Sequence, residues 1–252
     1  MIQVLHRAFG ILESAAADPG RPRALGEIAR AAGLNKATCA HILKTLVATG
    51  YMEQIAPRKG YRLGPRAYAL GGGRAYRPDL VAAAEPALAD LAAETRETAL
   101  LAVLRGDTRY TLCQVDGQRD VRVRAEPMAA RNVYETATGR LLLAFSPVGD
   151  VDAFVAGRGL PGEAWPEVKS ADDLGKALAA IRRRRRVVNV TPTHVAGIAA
   201  AVVAGGEVVA AVGLFLPDFR FKGPHRKAVI DGVERTAARI SQLLGDRDVA
   251  NF

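Results

Sequence analysis

Four side chains able to bind a polyanion, Lys36, Thr38, His41 and Lys44, fall in the stretch GLNKATCAHILKTLVATGY that runs from Gly33 to Tyr51. Ammonium, hydroxyl and imidazole groups at this spacing can neutralise and hydrogen-bond phosphates or base edges. They include no activated nucleophile and no acid–base pair, so the chemistry is recognition. Placing successive residues about 100° apart gathers Cys39, Ile42, Leu43, Leu46 and Val47 on one side. Ala37, Ala40, His41, Lys44 and Ala48 occupy the other. A solvated helix face normally carries long charged side chains. One trimmed to alanine around a few basic groups suits close approach to a negatively charged partner.

No other set of residues offers chemistry. His6, His41, His194 and His225 are scattered and belong to no nucleophile or metal motif; His194 reads as a loop or pocket-lining residue. Ser146 precedes Pro147 and lacks a Gly-x-Ser-x-Gly elbow. Gly71-Gly72-Gly73 is not followed by the Lys-Ser/Thr of a phosphate loop and reads as a bend between modules. Cys39 and Cys113 have no second ligand at metal spacing; both read as buried thiols without a disulfide. No catalytic residue, metal or cofactor is expected.

The elements that must position the basic helix lie on either side of it. IQVLHRAFGILESAA reads as a helix with Val4, Leu5, Ala8, Phe9, Ile11 and Leu12 apolar, and Asp18-Pro19-Gly20 and Pro22 break the chain after it. LGEIARAAG is a short helix closed by Gly33, and Asn35 caps the next. Ala29 and Gly33, with Ile28, Ala32, Leu34, Cys39 and Ile42 as pinning residues, match a helix-turn-helix. YMEQIAPRKGYRLG adds two extended pieces around a basic turn, Pro57-Arg58-Lys59-Gly60. Three helices and a hairpin are the order of a winged helix-turn-helix over residues 1–64. Residues 65–96 read as a connector and helix.

Beyond Arg96 the pattern is mixed. TALLAVL, RYTLCQV, VRVRA, VVNVT, GIAAAVV and VVAAVGLFL read as strands. ETATGRLLLAF, Val151 to Ala156, ADDLGKALAAIRR and PHRKAVIDGVERTAARISQLLG read as helices. Asp116-Gly117 and Gly205-Gly206 are hairpin signals. This predicts one α+β domain over 97–252, with helices packed on an antiparallel-rich sheet.

Charge agrees with this division. The chain of 252 residues carries a formal net charge of +9, and residues 1–77 hold 12 Lys/Arg against 4 Asp/Glu. The remainder is nearly balanced, so the excess sits on the small helical module, the footprint of a nucleic-acid binder. The N-terminus has no leader pattern and no apolar run approaches the roughly 18 residues of a membrane span, so a cytoplasmic protein without membrane attachment is expected.

Three segments carry a family resemblance: LHRAFGILE through EIARAAGLNKATCAHILKTLVATGY to GYRLGPRAYALG; then ETATGRLLLAF; then IAAAVVAGGEVVAAVGLFLP. Together they resemble the IclR family of bacterial transcription regulators. The resemblance implies a DNA-binding winged helix, a linker helix and a GAF-like α/β effector-binding domain. It also implies assembly as a homodimer or dimer of dimers, and control of metabolic genes by a small molecule, often an organic or aromatic acid. A dimer would read a pseudo-palindromic site on double-stranded operator DNA.

The DNA-contacting set is Asn35, Lys36, Thr38, Ala40, His41 and Lys44 from the recognition helix, with Arg58, Lys59 and Tyr61 from the hairpin. Lys44 and His41 are candidate base-edge readers; Lys36 and Thr38, near the helix start where the dipole favours phosphate, are candidates for phosphate or base edges, and Arg58 and Lys59 for backbone or minor-groove contacts. The family often has arginine where this chain has His41, so its operator contacts are expected to differ and to respond to pH. By resemblance the effector pocket takes Met128, Ala129 and Ala130 from the loop before ETATG, Gly197 and Ala199 from one strand, and Gly213 and Phe215 from the next. Relatives tend to have an acid at the position of Val190, a cysteine or small polar residue at Gly197 and a small polar residue at Phe215, so a less polar pocket is expected. The run Arg182–Arg186 reads as a solvated helix end, with an anionic partner as the minority reading. Two rivals remain: a regulator with no ligand, whose pocket would be filled by its own side chains, and a ligand-processing enzyme with an accessory helical domain.

Overall fold

The computed structural model describes residues 2–18, 21–56, 60–71, 76–123 and 129–250, and the chain divides into two units, Met1–Ala75 and Tyr76–Phe252. In the first unit the apolar periodicity becomes α1 (Gln3–Ala16), α2 (Leu25–Ala31) and α3 (Lys36–Ala48). The Asn35 side-chain oxygen accepts the Thr38 N–H at 2.8 Å and starts α3, a cap worth about 1 kcal/mol. Gly33, with φ +64°, makes the turn between α2 and α3 in the left-handed region that a Cβ disfavours. The Leu34 N–H then returns to Ala29 O at 2.8 Å. Ile11, Ile28, Cys39, Ile42, Leu43 and Met52 form the buried centre, with Ala32 and Leu34 packed at its margin. The first half of α1 does not join it: Ile2, Val4, Leu5 and Phe9 are exposed.

β1 (Met52–Ala56) and β2 (Gly60–Leu63) pair antiparallel as the wing. Backbone hydrogen bonds in both directions, each 2.9 Å, tie Tyr61 to Arg23 and fasten the wing to the chain ahead of α2. Gly60 has φ +101°, and a Cβ there would stand 2.9 Å from the Arg23 carbonyl oxygen. Gly60→Ala is therefore expected to destabilise this unit by about 1–3 kcal/mol. Urea unfolding monitored by far-UV circular dichroism checks it, and an unshifted midpoint would mean the wing relaxes freely. After the wing comes α4 (Pro65–Gly71), where Arg66 donates to Thr49 O at 3.2 Å and lies over the Tyr51 ring.

The second unit begins with α5 (Pro78–Thr95), β3 (Thr98–Arg105), β4 (Thr108–Val115), β5 (Ala129–Ala130) and α6 (Ala137–Phe145). It continues with α7 (Val148–Arg158), α8 (Ala171–Arg184), β6 (Arg186–Val190), β7 (Val195–Ala204), β8 (Glu207–Pro217) and α9 (Gly223–Ala250). The strands form one antiparallel sheet in the order β5-β4-β3-β8-β7-β6. The two-residue period splits its side chains. Ala99, Leu101, Ile198 and Val212 belong to a core with α5 and α9, whereas Leu100, Ala199, Ala211 and Phe215 belong to a second core with α6 and α8. Strands covered on both faces read as continuous apolar runs rather than alternating ones, as the central β3, β8 and β7 do, whereas β4 and β6 alternate.

The structure revises several sequence expectations. The 65–96 connector is divided: α4 belongs to the first unit, while α5 buries Leu80, Ala84, Leu88 and Leu91 within the second. Asp116-Gly117 is not a hairpin turn; β3 turns into β4 at Gly106-Asp107, with Gly106 at φ +57°. Gly117 instead allows a close approach, since a Cβ would stand 2.9 Å from Arg96 O, and its N–H donates to Thr98 Oγ1 at 3.1 Å. Gly205-Gly206 does turn β7 into β8. In VRVRA, Val121 to Val123 form no strand, and residues 124 and 125 lie outside the described residues. The arginine run is exposed from Arg182 to Arg185, but it is not idle: Arg182 donates to Ala144 O, and Arg186 pairs with Glu234 at 2.8 Å.

Glu97, between α5 and β3, is fully buried. Arg220 clamps both of its oxygens at 2.7 Å, His225 Nε2 lies 3.3 Å from Oε1, and Arg119 Nε adds an ion pair at 3.2 Å without hydrogen-bond geometry. The knot joins the end of α5, the loop after β4 and the start of α9.

Candidate nucleic-acid interface and effector pocket

The outer face of α3 is built as the sequence requires. Cys39, Ile42, Leu43 and Leu46 are buried beneath it. Lys36, Ala37, His41, Lys44 and Ala48 are exposed, and Thr38 and Ala40 are half-buried. Among the described residues neither Lys36 nor Lys44 has a hydrogen bond or ion pair. Other basic groups of this unit are engaged: Arg21 with Glu27 at 2.8 Å, Arg62 with Glu53 at 3.0 Å, and Arg23 with Ser14 O at 2.7 Å. Gly26 gives the Lys36 stem a place to lie, since a Cβ there would stand 3.5 Å from its Cε. Asn35 serves as the cap, and Tyr61 is half-buried against the core, positioning the wing through its backbone. Arg58 and Lys59 lie outside the described residues. Thr45, exposed one turn beyond His41, was missed by the sequence reading; the i, i+4 spacing from His41 could have found it.

In the second unit a cavity of about 430 Å³ opens against the α6 face of the sheet. Leu100, Val195, Gly197 and Phe215 supply its apolar wall. Thr98, Gln114, Glu135, Thr136, Glu163, Asn189, Thr191 and Thr193 supply polar groups. Thr136 caps α6 by accepting the Gly139 N–H at 3.1 Å. Behind the wall, Arg140 donates to Tyr134 O at 2.7 Å and Ala164 O at 2.6 Å and stacks on the Trp165 ring at 4.3 Å. Burial pulls its guanidinium down to about 10, against the pull of Glu167 and Glu135.

Of the expected pocket residues, Gly197 and Phe215 line this cavity. Ala199 and Gly213 share their face of the sheet but lie beneath other side chains; Thr138 Cγ2 would sit 2.6 Å from a Cβ at Gly213. Ala129 and Ala130 pair with Tyr110 and Arg109 at the sheet edge, away from the lining, and Met128 lies outside the described residues. Val190 is exposed rather than lining it. The lining surface is mainly apolar, in keeping with the less polar pocket expected, and glutamates and threonines contribute its polar groups. His194 is exposed beside the pocket loop and bonded to Asp218 at 2.8 Å.

The sequence reading missed Asn189. It sits in VVNVT at an inward position with Val187, while Val188 and Val190 point out. Its Nδ2 donates to Glu135 O at 2.8 Å, but its Oδ1 is buried with no partner. A Cβ at Gly197 would fall 2.8 Å from that oxygen, so the glycine makes the room the amide occupies. A buried amide in the middle of a valine strand was the available signal, since asparagine is depleted there.

Among the described residues no group of His, Cys, Asp and Glu could hold a metal ion, and no helix is long and apolar enough to cross a membrane. Cys39 and Cys113 are free thiols, both raised by burial, Cys113 to about 11. Alkylation by iodoacetamide at pH 8 is expected to be slow for both in the folded protein and fast in urea. Rapid labelling of either in the folded state would contradict their burial.

A capped, cation-bearing second helix with a wing, in a chain whose other unit encloses a cavity on a helix-covered sheet, defines a ligand-sensing class of DNA-binding regulator. The chain belongs to the IclR family: the family model for the bacterial transcriptional regulator IclR C-terminal domain matches residues 74–242, and that for the IclR helix-turn-helix domain matches residues 4–56. It is 33% identical over 183 residues to the probable transcriptional regulator SauR of Cupriavidus necator, covering 73% of this chain and 72% of that protein. It is 31% identical to the glycerol operon regulatory protein of Streptomyces griseus, covering 97% of both. Among solved structures, an IclR homolog from Microbacterium hydrocarbonoxydans complexed with 4-hydroxybenzoate is similar with a TM-score of 0.75 at 22% identity, covering 96% of this chain and 98% of that one. Relatives over the full length are regulators, not enzymes, and this chain is a DNA-binding transcriptional regulator.

Proposed function

We propose that this protein binds a pseudo-palindromic operator as a homodimer or dimer of dimers, and that a small organic or aromatic metabolite in the β-sheet cavity sets its DNA affinity. The observation that carries the DNA reading is the outer face of α3, where Lys36 and Lys44 are exposed and unpaired among the described residues beside small alanines. Such a helix fits a major groove about 12 Å wide. Lys44, His41 and Thr45 would face base edges; Lys36 and Thr38, with Arg58 and Lys59 of the wing, would hold phosphates, which fix register rather than read sequence. Ile2, Leu5 and Phe9 recur along one exposed side of α1 and support assembly through this helix.

The open cavity supports the ligand-bound version over a regulator with no effector, and the 4-hydroxybenzoate of the Microbacterium relative supports a ring-sized occupant. Thr98 lines the cavity three residues after the end of α5, so a ligand that bears on it can bias how α5 is held. A ligand shifts that equilibrium only by binding one arrangement more tightly than the other.

Fluorescence anisotropy with the chain's own promoter region tests the proposal. Binding should exceed that to random duplex and weaken log-linearly with salt. No preference for the promoter at any salt concentration would overturn it.

A further inference from the structure

The β6 edge of the sheet in the second unit is bare. Thr191 N–H donates to Val195 O at 2.8 Å and Ala201 N–H to Arg185 O at 3.2 Å. In that register the backbone groups of Val187 and Asn189 bond to Ala199 and Gly197 of β7. Those of Arg186, Val188 and Val190 therefore point away from β7, and among the described residues they have no partner. Val188 and Val190 are 37% and 53% exposed. Proteins blunt such edges with charge, proline or a bulge, yet Val187 to Val190 carry neither charge nor proline, and the pairing has no register shift. A groove of about 710 Å³ runs beside this edge, with Ala177, Ala180 and Ile181 of α8 and Trp165 along it. Its ends differ in charge. Where α8 turns into β6, Arg184 and Arg186 line it. Glu234 answers Arg186, but Arg183, Arg184 and Arg185 are exposed and unpaired among the described residues. Glu163 lines it together with Thr191 and Pro192, which follow the other end of β6. Arg140 and Glu167, opposite in sign, complete its charged lining.

From this we infer that the β6 edge and its groove take an extended segment of a partner protein, apolar along its length and acidic at its C-terminal end, as an added antiparallel strand. Main-chain hydrogen bonds to Arg186, Val188 and Val190 supply the affinity, and alternate side chains entering the groove beside α8 supply the selectivity. The antiparallel direction carries the C-terminal end of the segment to Arg183, Arg184 and Arg185, while its N-terminal end lies toward Glu163. A second copy of this chain fits less well, because pairing its own β6 here brings a second α8 to the layer that α8 already fills beside the groove.

The test is fluorescence anisotropy of the full chain with a labelled peptide of alternating valine and threonine followed by three aspartates. The peptide should bind, and moving the aspartates to its N-terminal end should weaken binding about 10-fold. The threonine N–H groups face β6 when the valines enter the groove. N-methylation of the threonines should therefore weaken binding about 10-fold or more, whereas N-methylation of the valines should be tolerated. The variant R183Q/R184Q should bind the peptide about 10-fold more weakly with its melting temperature unchanged, since both side chains are exposed and unpaired among the described residues. Equal binding of the two N-methylated peptides and the parent would reduce the contact to charge attraction and overturn strand addition. Absence of binding at millimolar peptide would overturn it as well. If the peptide fails to bind and Val188→Lys lowers the oligomeric state in analytical ultracentrifugation, the edge belongs to a second copy and the proposal falls.

Discussion

Replacing Glu97 with alanine is expected to destabilise the second unit by about 3–5 kcal/mol, because it removes one side of a buried ion cluster and leaves the other without compensation. Glu97 is fully buried, and Arg220, which clamps it bidentately at 2.7 Å, is itself mostly buried. Bidentate arginine–carboxylate pairs are among the strongest hydrogen-bonded contacts, and Arg119 and His225 crowd the same oxygens. The contrast is Glu94, one turn earlier in chain order, whose pair with Arg235 at 2.7 Å is exposed on both sides. Glu94→Ala should cost less than about 1 kcal/mol. Urea unfolding of both variants measures the difference. Equal, small effects would mean that Glu97 is not the fastening between α5, the loop after β4 and α9. A repacked Glu97→Leu variant that recovers stability would agree with the desolvation argument rather than oppose it.

The second large effect concerns DNA. Lys44→Ala should reduce affinity for the operator about 10- to 100-fold, the discrimination a good base contact supplies, while changing random-duplex binding little. Lys36→Ala should weaken both duplexes alike and lower the salt slope by about 0.9, as loss of one phosphate contact does. Neither change should disturb folding, since both lysines are exposed and unpaired among the described residues and alanine favours a helix. Together they should remove about two orders of magnitude or more of operator affinity if the sites act independently. Equal loss for Lys44→Ala on both duplexes would reduce that residue to a backbone contact, and no loss from either would remove α3 from the groove.

The recognition face was legible in the sequence because a helix is a local structure. Once Asn35 caps it and Gly50 follows its end, the 3.6-residue period alone decides that Cys39, Ile42 and Leu43 turn inward while His41 and Lys44 turn out. The winged-helix order was legible for the same reason: Gly33 and the hairpin around residues 57–59 are short-range signals. The placement of Gly197, Ala199, Gly213 and Phe215 on one face of the sheet likewise follows from a two-residue period within each strand.

What the period cannot reveal is which of those four a cavity reaches. Gly197 and Phe215 line the cavity and Gly213 and Ala199 do not: Thr138 of α6 sits over Gly213, whereas the side chain packed over Gly197 is that of Asn189, itself part of the cavity wall. Asn189 became part of the wall only through pairing with Gly197 across β6 and β7. Glu97 met Arg220, which lies 123 residues further along the chain, only when the start of α9 returned to the end of α5. The sequence by itself therefore determined the DNA-binding module, its charge and the α+β class, since these rest on contacts a few residues apart. The tertiary structure alone decided the pocket, its unpaired acceptor and the buried ion cluster, since each depends on side chains that approach only when distant strands and helices are brought together.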